Sequence, residues 1–312
     1  MGKISLDLLV KQFFRKYGFI KLLITCVFVF PLKVINFYKQ IVSAIHPFFA
    51  ATFLTHDSSY LDEQISRVEH VAKNGKKISF DLFTPNDVCK FRADTFSVKE
   101  PETLEWIEEF GSGGKVLFDI GANVGIYSIY HCLLNGGNAV AFEPSFFNLR
   151  MLMKNVNVNK CEKLITIIAN PLSDSDGVAE FKNGNTHEGG ALSAFGVGYG
   201  ADGKDIDEAV SANVMGFTLD TLKNSELLKV NPNLIKIDVD GIEHLILNGA
   251  VEVLLSAKCE SILVEVNDDF KKQAKRVSEN LNECGFSLRE KKHGEMFDHG
   301  KYAAIYNQIW VK

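Results

Sequence analysis

The 312-residue sequence has no Cys-x-x-Cys or His-x-x-x-His pair, no apolar run of bilayer length and no excess of positive charge. Each absence removes a class of protein. Cys26, Cys89, Cys132, Cys161, Cys259 and Cys284 are scattered, which indicates neither a disulfide framework nor a zinc site. Lying mostly in apolar runs, they read as buried free thiols of a reducing compartment, and the expected location is cytoplasmic. A net charge of −5 gives no general attraction to polyanions, so no nucleic-acid partner is expected. The longest uncharged apolar core, residues 22–30, is far short of the roughly 20 residues needed to cross a bilayer, and Pro31 ends it. With 46% hydrophobic residues the chain still has enough apolar surface to bury a sizeable core.

The charge that is present is unevenly placed. Residues 1–50 hold Lys3, Lys11, Arg15, Lys16, Lys21, Lys33 and Lys39 against Asp7 alone, which is +6 and leaves −11 for the remainder of the −5 total. Combined with the apolar stretch at 19–49, this leaves three readings: a basic amphipathic segment on a membrane surface, a helical cap packed on the domain, or an export signal. Residues 1–59 are therefore set apart as a helical extension, and 60–312 as the main domain. Oligomeric state is not legible.

The main domain is organised around residues 115–125, where a short apolar run ends in Asp119 and breaks into the turn Gly121-Ala122-Asn123-Val124-Gly125 before a helical pattern begins. A buried strand turning tightly into a helix is where an open α/β sheet holds a nucleotide-like ligand. A dinucleotide site would carry Gly-x-Gly-x-x-Gly, but here the middle glycine is absent and the turn contains no basic residue. That chemistry suits S-adenosylmethionine, with its sulfonium and ammonium, better than a diphosphate. A second buried strand, residues 138–142, leads into Glu143, 18 residues after Gly125 and close to the spacing at which a carboxylate meets ribose hydroxyls. Ser173 and Asp174 follow a third strand. Asp174 could read an adenine amino group or simply stabilise its turn.

Residues 183–204, with Gly184, Gly189, Gly190, Gly196, Gly198, Gly200 and Gly203, read as a long loop: a lid, a binding segment or a disordered stretch. Beyond it lies a second chemical centre, Lys236-Ile237-Asp238-Val239-Asp240-Gly241-Ile242-Glu243. Strand alternation puts Lys236 and Asp238 on one face. Charges on an apolar strand cost several kcal/mol unless paired or functional, which favours a functional role. Asp240 and Glu243 have a plainer explanation as an N-terminal capping box. A metal set is not evident from spacing, although Asp238, Asp240 and Glu243 could hold a divalent ion if they converged. A fifth strand at 261–266, a helix to Cys284 and an antiparallel pair at the tail complete an α/β fold.

These motifs, together with 99–106 and the Phe142-Glu143-Pro144 step, fall in order over residues 77–311, and the chain resembles the FkbM family of S-adenosylmethionine-dependent methyltransferases. The resemblance implies a class I methyltransferase fold, Rossmann-like, with a mostly parallel seven-stranded sheet flanked by helices and an antiparallel final strand. It implies S-adenosyl-L-methionine as cofactor and methyl transfer to a hydroxyl of a sugar, glycan or related product. Asp119, Gly121, Asn123, Gly125, Glu143, Ser173 and Asp174 would hold the cofactor. Lys236, Asp238 and Glu243 would be catalytic, with Lys236 or Asp238 taking the hydroxyl proton. For Lys236 that role requires a depressed pKa. One departure stands out: Asp240 replaces the family's usual Glu. A nicotinamide-dependent oxidoreductase and a non-catalytic glycan-binding protein on the same fold are the competing readings.

Overall fold

In the computed structural model the described residues are 60–206 and 210–312, together with Val34 and Phe37. The chain divides into two compact units, Met1–Asp62 and Glu63–Lys312, and the second holds the sheets and the cavity. The readings of the basic, apolar N-terminal stretch fall outside the described residues. Among the described residues no helix is long and apolar enough to cross a membrane.

The second unit opens with an antiparallel hairpin, β1 (Ile65–Val71) and β2 (Lys77–Phe83), followed by α1 (Asp87–Asp94), the short α2 (Phe96–Lys99) and α3 (Pro101–Phe110). Pro101 stands at the first helical turn of α3, where its missing N–H costs nothing. Then come β3 (Val116–Ile120), α4 (Ile126–Asn135), β4 (Asn138–Phe142), α5 (Phe146–Val158) and β5 (Ile165–Ile168). After β6 (Gly177–Asn183), β7 (Ser193–Phe195), β8 (Val210–Gly216) and α6 (Leu219–Asn224), the chain returns to the main sheet. It does so as β9 (Leu234–Ile237), α7 (Glu243–Asn248), α8 (Val251–Leu255), β10 (Ser261–Asn267), α9 (Lys271–Glu283), β11 (Ser287–Lys292) and β12 (Ile305–Val311).

Seven strands form the main sheet in the order β11-β12-β10-β9-β3-β4-β5. Neighbours from β10 to β5 are parallel, and β12 is the reversed strand between β11 and β10. This is the mostly parallel sheet that the resemblance implies. The chain steps outward from β3 to β4 and β5, then crosses back to β9 on the other side of β3. That reversal creates a crevice at the carboxyl ends of β3 and β9, where ligands of such sheets bind.

Each sheet face carries its own core. Leu117, Leu234 and Leu263 pack with α3, α4 and α5 on one face, while Phe118, Ile235 and Ile262 pack with α7, α8 and α9 on the other. Because side chains alternate, Asp119, Lys236, Asp238 and Glu265 fall on the same face as the first set, beyond the apolar layer and toward the carboxyl ends. The apolar layers thus end in a polar strip. The segment 183–204 is not one continuous loop, since β7 pairs with β6, which also pairs with β8 in a small antiparallel sheet. Its glycines mask the three-residue strand in the sequence. The five described cysteines are free and buried.

Candidate active site

A cavity of about 450 Å³ lies at the carboxyl ends of β3, β4, β9 and β10, within the size range of small-ligand pockets. Gly121, Asn123, Glu143, Lys236 and Asp238 line it. Asp119, Gly125, Ser173, Asp174 and Glu243 do not.

The Gly121 side of the cavity is built from backbone. Gly121, Asn123 and Gly125 all take positive φ, which curls the turn so that the Gly121 and Ala122 amides donate to the Phe142 carbonyl and the Asn123 amide to Glu143. At Gly121 a Cβ would stand 1.9 Å from the Asp238 carbonyl oxygen, so only glycine lets β3 pass this close to β9. Gly125 serves packing instead: its missing Cβ faces Leu152 of α5. Glu143 is 4% exposed. Its carboxylate accepts hydrogen bonds from the Asn123 N–H at 2.7 Å and the Ser145 N–H at 2.9 Å. Burial pushes the Glu143 carboxyl up to about 7 against these donors, which favour the charged form. Asn123 Oδ1 is buried without a hydrogen-bond partner.

The Lys236 side is built from side chains. Lys236 is 1% exposed, and its ammonium lies 2.8 Å from Asp238 Oδ2 and 5.1 Å from the centre of the Tyr127 ring. The Tyr127 hydroxyl donates to Glu100 Oε2 at 2.8 Å, and Glu100 pairs with Lys99. Burial would depress the Lys236 ammonium, but Asp238, Asp119 and Glu100 outweigh it and hold it above its ordinary value. Lys236 therefore lacks the depressed pKa that taking the hydroxyl proton would require, which leaves Asp238 as the other expected acceptor. For Asp238, burial pushes upward while Lys236 and Lys99 pull harder downward, so it is a carboxylate.

Other expected site residues are placed as follows. Glu243, expected to be catalytic, is turned away from the cavity: its Oε1 accepts from the N–H of Gly241 at 3.1 Å and of Val239 at 3.3 Å, and Oε2 accepts from Gln273 Nε2. It clamps the turn between β9 and α7. Asp240 does not cap α7. It sits at φ 61° and accepts from the N–H of Leu192 at 2.7 Å and of Ser193 at 3.2 Å, tying the glycine-rich segment down over the cavity. With Asp238 on Lys236, Asp240 on the strap and Glu243 on its own turn, the three carboxylates do not converge. Asp174 is exposed, and the Ser173 backbone carbonyl packs so tightly on Gly249 that a Cβ there would lie 2.1 Å away. Asp174 stands on an outer corner and Ser173 is buried beside it; neither lines the cavity, whereas Leu172 and Asn170 do. Asp119 is fully buried behind the wall, accepting from Ser128 Oγ at 2.7 Å, with Oδ1 unpartnered.

Several wall residues escape sequence reading. Glu100 and Tyr127 lie inside the motif stretches, yet their spacing assigns them no role. Glu265 is within reach of the alternation that singles out Lys236, since it follows Val264, the partner of Ile237, and faces Asn307 in register on β12. Arg92, whose Nε donates to the Gly189 carbonyl at 2.7 Å, comes from a helix with no motif.

A sequence profile described as "Methyltransferase FkbM domain" matches residues 119–288, more than half of the chain. The chain belongs to the FkbM methyltransferase family. This replaces the nicotinamide-dependent alternative. Searching curated protein sequences returns no match. Among solved structures, the chain is similar to methyltransferase FkbM from Methylobacillus flagellatus KT, at 13% identity over 72% of this chain and 52% of that one, TM-score 0.44. It is also similar to a SAM-dependent methyltransferase from Streptococcus mutans, at 10% identity over 79% and 55%, TM-score 0.42. The MTase domain of METTL16 matches at 14% identity over 78% of this chain and 86% of that one, TM-score 0.43. The chain spans about half the length of the Methylobacillus protein. The cofactor of this methyltransferase is S-adenosylmethionine. The cavity fits it: a buried carboxylate at Glu143, an unpartnered Asn123 Oδ1 and a glycine turn without a basic residue suit hydroxyl and cationic groups.

Proposed function

We propose that this FkbM methyltransferase transfers a methyl group to a hydroxyl of a sugar, glycan or related natural product. The observation that carries the reading is the Lys99–Glu100–Tyr127–Lys236–Asp238 chain on the wall beside the Gly121 turn. Such a row offers a hydroxylated acceptor fixed donors and acceptors on a protein surface that does not reorganise. S-adenosylmethionine supplies an electrophilic methyl on its sulfonium. Glu143 would accept from the ribose hydroxyls, with Asn123 Oδ1 as a further acceptor, and the apolar side chains of Leu172, Ile246 and Phe142 would flank the adenine.

In this reading Asp238 would accept the hydrogen bond of the acceptor hydroxyl and take up its proton on the carboxylate. Bound S-adenosylmethionine would supply the methyl group and leave as S-adenosylhomocysteine. Lys236 holds Asp238 in place and balances its charge, acting as a positioning residue. Much of the acceleration comes from orientation. The test is a transfer assay with a methyl-labelled donor against sugars and lipid-linked glycans. Label appearing as a base-stable ether supports the reading, and cofactor binding without transfer to any hydroxyl would favour the non-catalytic glycan-binding alternative. Peripheral membrane contact through residues 1–50 remains part of the proposal, tested by vesicle sedimentation of the full chain.

A further inference from the structure

The carboxylates around the cavity are unequally provided for. Glu143 has the Asn123 and Ser145 amides, Asp240 has those of Leu192 and Ser193, Asp238 has Lys236, and Glu100 has Lys99. Two wall carboxyls lack any such partner. Glu102, at the start of α3, is 3% exposed; its Oε1 accepts from Asn307 Nδ2 at 2.7 Å, while Oε2 has no hydrogen-bond partner outside its own residue. Glu265 on β10 stands opposite Asn307 in register, between Asn307 and Asp238, with no cation of its own among the described residues. Both line the cavity, on the far side of Asp238 from Gly121.

We infer that Glu102, which holds the Asn307 side chain, and Glu265, which lies opposite Asn307 in register, form a subsite for a protonated amine carried by the hydroxylated acceptor, so that the favoured substrate class is an amino sugar or similar hydroxylated amine. This rests on the proposed hydroxyl methylation and names its acceptor more closely. The geometry is what an ammonium needs. It has three donors and no acceptor, and it meets an unpartnered buried Oε2, a second carboxyl without a cation and the Asn307 side-chain amide held on Glu102. Lys236 and Lys99 cannot supply that charge, because each already faces its own carboxylate. His293 and Phe297 add flat faces to the same part of the wall, and His293 is held by stacking on Tyr306 with ring centres 4.4 Å apart. A ring bearing both hydroxyls and an ammonium would rest against them. The charge state agrees: burial pushes both carboxyls up, and neighbouring carboxylates push Glu265 further, which is the condition an incoming cation relieves.

The test compares two ligands that differ by one ammonium for one hydroxyl. Glucosamine and glucose are titrated calorimetrically into the full chain loaded with S-adenosylhomocysteine. Glucosamine is expected to bind at least about tenfold tighter, the ratio that one charged hydrogen bond supplies. Glu265→Gln and Glu102→Gln should each narrow that gap while leaving S-adenosylhomocysteine affinity unchanged. Equal or weaker binding of glucosamine overturns the subsite, as does a preference that neither variant narrows. Methyl transfer to neutral sugars without amine preference would remove the subsite and leave the hydroxyl methylation standing. An amine preference with no transfer to any hydroxyl would do the reverse.

Discussion

The two sides of the cavity hold their charges by different means. On the Gly121 side, Glu143 faces backbone amides fixed by a turn of positive-φ residues; on the Lys236 side, carboxylates face ammonium groups on long side chains. Amides carry only partial charge, so they do not cancel the burial of Glu143, whose carboxyl rises to about 7. A full cation does cancel it, and Asp238 falls below its ordinary range. Carboxylates only a few strands apart are thereby driven in opposite directions. Glu143, held by amides, is responsive to pH near neutrality, whereas the Lys236–Asp238 pair is insensitive there but intolerant of losing one partner.

The largest effect should come from breaking the ion-paired side. Lys236→Met leaves the half-buried Asp238 beside Glu100 and Glu265 without its main counter-charge, and since removing one partner of a fully buried pair costs about 3–5 kcal/mol, this half-solvated one should lose about 2–3 kcal/mol. Urea unfolding should show that loss. The Lys236→Met/Asp238→Leu double variant should recover most of it, which a double-mutant cycle would read as strong coupling. Little recovery would mean that Lys236 is held mainly by Asp119 and Glu100. The next effect is on the amide-lined side. Glu143→Ala strands the Asn123 and Ser145 amides and should weaken S-adenosylmethionine by roughly tenfold to a hundredfold, the worth of hydrogen bonds to a charged group. Calorimetry showing unchanged affinity would remove Glu143 from the cofactor site.

These two sides are legible in the sequence to different depths. The strand–turn–helix at Gly121 and the carboxylate of Glu143 follow from local rules, because the residues that shape the turn are neighbours in the chain. Lys236 and Asp238 follow from alternation along β9. Their protonation does not, because it depends on Glu100 from α2's end and Asp119 from β3, charges brought in by packing. Glu243 and Asp240 show the same limit. A capping box explains both as neighbours, yet Asp240 reaches Leu192 and Ser193 across 47 or more positions, and Gln273 reaches back to Glu243. Asp174 matches a motif but stands on the outer corner, since the close packing of Gly249 on Ser173 fixes where that turn lies.

The Asp240 tie gives a smaller effect. Burial and Asp238 lift its carboxyl to about 6, so at neutral pH it is an ionised acceptor for two strap amides. Asp240→Ala should cost about 1 kcal/mol, the net worth of hydrogen bonds whose exposed and part-buried donors can turn to water, and should speed protease cleavage within 184–206. Unchanged cleavage would mean that Asn123 and Asn148, which both donate to the Gly190 carbonyl, suffice to hold the strap.

The smallest effect is the most specific to the comparison, since it uses pH rather than a lost side chain. Below about 7 Glu143 is protonated and loses acceptor capacity, so S-adenosylmethionine affinity should rise as pH increases through about 7 and then level, changing less than tenfold per unit. Stability of the unliganded chain should move the other way. Glu143 and Glu243, both raised to about 7, and Asp240, raised to about 6, bind protons more tightly folded than unfolded. Their contribution is complete below the ordinary carboxyl range and is lost as pH rises through the folded values. Glu143→Gln should flatten the affinity profile while Glu243 and Asp240 keep the stability slope. If the variant left the affinity profile sloping, the titrating group would lie elsewhere, and the ion-paired side would not be indifferent to pH.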